Sequence, residues 1–102
     1  MKSRKYRLRF LSIAEEDFTD IISYIAGENK DAANELANLI EENLNLLIEN
    51  PFMGRVPRDE DLKSLGYRFL IVKNYLIFYS IESDVIIIKR ILHGARNYKD
   101  IL

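Results

Sequence analysis

Between residues 6 and 11 the sequence alternates, YRLRFL, so that Tyr6, Leu8 and Phe10 share one face and Arg7 and Arg9 the other. A period of two predicts a strand. SIAE at 12–15 then reads as a capping box, in which Ser12 and Glu15 satisfy free amides at a helix start. Phe18, Ile21, Ile22 and Ile25 continue at helical spacing to Gly27, which is expected to supply a left-handed stop. After the connection ENKD, a second helix is marked by Ala33, Leu36, Ala37, Ile40, Leu44 and Leu47. It ends before Pro51, which disfavours helical geometry at Asn50.

Residues 50–65, NPFMGRVPRDEDLKSL, contain both prolines and Gly54 and are expected to form the one long irregular segment. Three β-rich runs follow, YRFLIV, YLIFYSI and VIIIKRIL, separated by KN and ESD. Connections this short imply consecutive antiparallel hairpins. The order β-α-α-β-β-β predicts an α+β fold. An N-terminal strand and an α-helical hairpin precede a three-stranded antiparallel meander, with the hairpin on one face of an antiparallel sheet and the other face left available. One domain, 1–102, is expected from a chain of 102 residues with 48% hydrophobic content.

Net charge changes the picture only once it is placed along the chain. Residues 13–49 hold ten acids against Lys30 alone, a sum of −9, and the remainder holds 14 bases against six acids, a sum of +8. A nearly neutral chain is thus expected to be polarised, its outer helix faces acidic, its loop and sheet half facing something anionic. Without cysteine there is no disulfide framework or thiolate zinc site, and His93 alone makes no metal centre, so neither metal nor cofactor is expected. The apolar runs are too short to cross a bilayer, and the start MKSRKYRLRF lacks a signal-peptide core, so a cytoplasmic protein with no membrane partner is expected.

Candidate chemistry concentrates in the basic half. His93, the residue that titrates near neutrality, stands at the end of the most apolar run, beside Gly94, Arg96 and Tyr98; it suits acid-base work or a simple hydrogen bond at a strand end. Arg55, Arg58, Arg68, Arg90 and Arg96 suit phosphate binding, an acidic peptide or a solvated face. Tyr67, Tyr75, Tyr79 and Tyr98 could stack on bases or pack within the sheet. Asp59, Glu60 and Asp61 contain a possible general base on what is otherwise a solvated loop.

YRFLIVKNYLIFYSI followed by VIIIKRILHGARNY resembles the C-terminal sheet of the RelE/ParE superfamily, the toxins of bacterial type II toxin-antitoxin modules. The likeness extends to AEEDFTDIISYIA and NPFMGR. It implies a toxin silenced by a cognate antitoxin, with Arg7, Arg9, Arg68 and Tyr75 as antitoxin-binding candidates. RelE-like members cleave messenger RNA in the ribosome, whereas ParE-like members inhibit DNA gyrase. For gyrase, the target-binding candidates are Arg55, Arg58, Arg90, His93, Arg96 and Tyr98. For a YoeB-like endonuclease acting on ribosome and mRNA, Glu60 would take the 2′-hydroxyl proton, Arg68 or Arg90 would brace the phosphate, and His93 or Tyr98 would protonate the leaving oxygen. RNA-cleaving members commonly carry an arginine three residues before a tyrosine of the middle strand, where this chain has Leu76 before Tyr79. That apolar residue, and NYLIFY paired with RILHGAR, favour the ParE side. The alternatives kept are the endonuclease and an inactive toxin that retains antitoxin binding.

Overall fold

The computed structural model describes residues 6–94. Strand β1 (Arg7–Phe10) leads into helices α1 (Ser12–Ala26) and α2 (Lys30–Glu49), then a short α3 (Glu60–Ser64) and strands β2 (Arg68–Val72), β3 (Tyr75–Glu82) and β4 (Val85–His93). The fold is α+β, and β2, β3 and β4 form the expected meander. The sheet is not purely antiparallel, however. Its order is β1-β4-β3-β2, and β1 pairs with β4 in parallel, Arg7 opposite Val85 and Phe10 opposite Ile88.

Local capping differs from expectation at both ends of α1. The helix begins with Ser12 already inside it; Leu11 is the cap, with no side-chain hydrogen bond, and its carbonyl accepts from the amides of Ala14 and Glu15. The Leu11 amide is bound to Ile88 O, so the sheet fixes where the helix starts and no capping box is needed. Gly27 is right-handed, φ −61°, because the tight connection to α2 continues through Glu28 and Asn29, whose amides both reach Ile25 O. The side chain that does cap is Asn29, accepting from Ala32 N at 3.0 Å ahead of α2.

The irregular segment also contains structure that its composition concealed. Asp59 accepts from Leu62 N at 3.1 Å and caps α3, burying Leu62. Gly66, φ 79°, supplies the left-handed residue after that helix.

One core joins Leu36, Ile40, Leu44 and Leu47 of α2 to Leu70, Val72, Ile77, Tyr79, Ile86, Ile88 and Ile91 of the sheet. Phe78 pairs with Arg90 but Tyr79 with Ile88, so Lys89 is an extra residue in β4. That bulge matters, since Ile88 and Ile91 stand three apart and would otherwise point to opposite faces. The second sheet face is less open than expected. Over its centre Phe78, Ser80, Ile87 and Leu92 are buried, in keeping with runs so continuously apolar, while Ile71 on the edge strand stays 48% exposed. Among the described residues no helix is long and apolar enough to cross a membrane.

Candidate functional site

Two places gather the chemically capable side chains, and they lie at different parts of the sheet. The first is the β4 edge beyond the point where β1 stops. There Asp17 of α1 fills the gap: its carboxylate accepts from Arg90 Nε at 2.7 Å, from Arg90 Nη2 at 2.9 Å and from the Ile91 amide at 3.0 Å. The pair is largely sheltered, with side-chain exposures of 17% for Arg90 and 14% for Asp17. Hydrogen bonding from Asp17 holds the Arg90 guanidinium above its usual pKa against the opposing effect of burial. Beside this clamp an open cleft of about 610 Å³ is lined by Asp20, Tyr24, Tyr75 and His93. Tyr75 and His93 are register partners whose rings meet edge to face, 5.5 Å apart.

The second place is the turn after α2, tied to β3 by one hydroxyl. Tyr79 is fully buried, and its hydroxyl donates to Pro51 O at 2.8 Å and accepts from Gly54 N at 3.0 Å. Arg68 Nη1 donates to the carbonyls of Phe52 and Gly54, with its guanidinium 5.2 Å from the Phe52 ring centre. Arg55 and Phe69 exchange backbone hydrogen bonds of 2.8 and 2.9 Å. Gly54 is indispensable here, because a Cβ would lie 2.4 Å from the Tyr79 hydroxyl.

Burial raises the Tyr79 pKa above 10.0, outweighing the Gly54 amide and the Arg68 charge, which both lower it. A raised folded-state value means that the unfolded chain ionises first. Stability from this group is therefore complete below pH 10.0 and declines as pH climbs through the folded-state value. Urea midpoints measured between pH 8 and pH 11.5 should fall at the alkaline end, and Tyr79→Phe should flatten that fall. An equally steep decline in the variant would exclude Tyr79 as its source.

Among the described residues the candidates drawn from sequence do not all form one constellation, although Arg90 and His93 both line the cleft. Arg68 pairs opposite Tyr79 and His93 opposite Tyr75; four residues along β3 separate them by about 13 Å. Glu60 starts α3. Arg90 is engaged by Asp17 and Arg68 by two carbonyls. Arg55 and Arg58 are exposed in the turn segment. Among the antitoxin candidates, Arg7 and Arg9 project outward from β1, Arg7 within 3.7 Å of Asp84. Arg68 occupies the opposite edge strand, three strand spacings or about 14 Å across. Arg96 and Tyr98 lie outside the described residues. Among the described residues no group of three or more metal-binding side chains is assembled. Leu76, three residues before Tyr79, occupies the opposite sheet face from it.

Sequence reasoning missed Asp17. The available signal was its position, three residues after Ala14 and four before Ile21, which puts a carboxylate at the border of the apolar stripe of α1.

Residues 8–98 match the family described as the ParE toxin of the type II toxin-antitoxin system parDE. Among solved structures, the chromosomal ParDE toxin-antitoxin system from P. aeruginosa is similar at 20% identity and a TM-score of 0.72, covering 89% of this chain and 98% of that one. The toxin-antitoxin complex RelBE2 from Mycobacterium tuberculosis is similar at 24% identity and a TM-score of 0.64, covering 88% of this chain and 99% of that one. No curated protein matches in sequence.

Proposed function

The chain belongs to the ParE toxin family of type II toxin-antitoxin systems, and from that premise we propose that it arrests growth by binding and inhibiting DNA gyrase. As the toxin of such a module it has an antitoxin as its counterpart. The observation that carries the gyrase reading is the state of the groups RNA cleavage would require. Arg90 is sequestered by Asp17, Arg68 is turned onto the carbonyls of Phe52 and Gly54, and Leu76 is apolar. Arg68 and His93 stand too far apart to act on one phosphodiester, whose reacting atoms span a few ångströms. A toxin that binds a protein target needs no such constellation.

Purified toxin should inhibit supercoiling by purified gyrase and leave transcripts on translating ribosomes intact. Site-specific transcript cleavage with supercoiling untouched would replace this reading with the endonuclease. Normal growth on induction without antitoxin, with antitoxin binding retained, would identify an inactive toxin.

A further inference from the structure

The turn after α2 is held more firmly than an exposed loop requires, and it uses that firmness to display apolar side chains. Pro51, Gly54 and Pro57 are buried at every third position, and between them Phe52, Met53 and Val56 stand 61%, 41% and 46% exposed. Arg55, Arg58 and Arg68 border them, Arg68 directly over the Phe52 ring. Large apolar side chains fixed in water by a buried tyrosine hydroxyl, a backbone bridge to Phe69 and an arginine clamp do nothing for the core. The backbone that carries them and the Phe52 ring are ordered before any partner arrives, which lowers the cost of binding through an aromatic and arginine cluster.

We propose that this face of the turn is the surface by which the toxin grips its protein target, and that it fits a folded surface with an apolar recess rimmed by carboxylates. The inference deepens the gyrase reading and relies on it for the probe. A protein is favoured over a nucleic acid on two grounds. One face of Phe52 already lies against Arg68, which limits base stacking. Met53 and Val56 are aliphatic and offer bases little. Against a carboxylate-rimmed recess, by contrast, Arg55 and Arg58 are complementary.

The test uses the full chain and two variants, Phe52→Ala and Val56→Glu, with thermal midpoint and antitoxin affinity measured alongside. Both positions are exposed, so folding should be retained; Val56→Glu serves as the independent check should loss of Phe52 disturb Arg68. Each variant should raise the concentration needed to inhibit gyrase supercoiling about 30-fold or more, the loss typical of a binding hot spot. Each should also weaken growth arrest on induction, with antitoxin affinity unchanged. Wild-type inhibition and wild-type killing by both variants would overturn the proposal. So would a matching loss of antitoxin affinity, which would assign the surface to the antitoxin, or a matching loss of RNA binding. If wild-type toxin arrests growth without affecting gyrase, the gyrase reading fails, and growth arrest by the variants still decides the turn surface.

Discussion

Gly54→Ala should lower the thermal midpoint by roughly 15–30 °C, at about 4–8 °C per kcal/mol for a domain of this size. The added Cβ would sit 2.4 Å from the Tyr79 hydroxyl, 2.7 Å from Cε1 and 2.9 Å from Cζ. Tyr79 cannot step aside, since its ring is fully buried among Ile77, Ile88 and Leu47 in the core. The turn must therefore lift away. Lifting strands the Gly54 amide and the Pro51 carbonyl without partners, at about 1–3 kcal/mol for each buried group left unpaired. For the two groups together that is about 4 kcal/mol, a large share of the 5–15 kcal/mol typical of a whole domain. Calorimetry is the direct check, with Tyr79→Phe as comparison. That variant loses the two hydrogen bonds and adds no bulk, so it should fall between wild type and Gly54→Ala. A midpoint for Gly54→Ala within about 3 °C of wild type would mean that the turn is not packed as described.

Asp17→Ala should be the second severe variant, costing roughly 3–5 kcal/mol. One carboxylate satisfies three donors, two on Arg90 and one on the Ile91 backbone. Its removal leaves a sheltered guanidinium without its hydrogen-bonded carboxylate, with only the weaker influence of Glu16 remaining, and opens the β4 edge at the point where β1 no longer covers it. Arg90→Met should be milder. The carboxylate would keep its bond to the Ile91 amide, and the methionine would occupy much of the volume vacated beside α1. Urea denaturation of the two variants gives the ordering. Equal losses, or a loss under about 1 kcal/mol for Asp17→Ala, would show that solvent already satisfies Arg90.

Much of this architecture was legible because it is periodic. Alternation in YRLRFL, helical spacing from Phe18 to Leu47 and short gaps between three β-rich runs lead to β1, the hairpin and the meander. What escaped were pairings between residues distant in sequence. Nothing local in IIIKRIL indicates that Arg90 meets Asp17, 73 residues earlier, so it read as one more cation of a basic face. Ser12 and Glu15 have the spacing of a capping box, but a tertiary bond from the Leu11 amide to Ile88 decides where the helix begins. Tyr79 fell among tyrosines with two readings, stacking on bases or packing within the sheet, and its burial fits the second; its hydroxyl, the part that organises residues 51–54, leaves no mark in the pattern. The unbroken apolar runs IFY and VIII did carry the warning that the centre of the second face is covered, since a half-exposed strand would alternate.

The parallel partnership of β1 with β4 also governs when this molecule can come into being. Among the described residues the first strand is completed only by the fourth, Arg7 against Val85, and α1 rests its one sheltered carboxylate on that same later strand. During synthesis the amino-terminal strand and α1 have no sheet to close upon until residues 85–93 have emerged. Pairing across so long a loop belongs to the slower class of folding reactions. The sheet is thus closed by its longest-range pairing rather than by its local hairpins, and neither β1 nor the Asp17 carboxylate finds its partner until residues 85–93 are available.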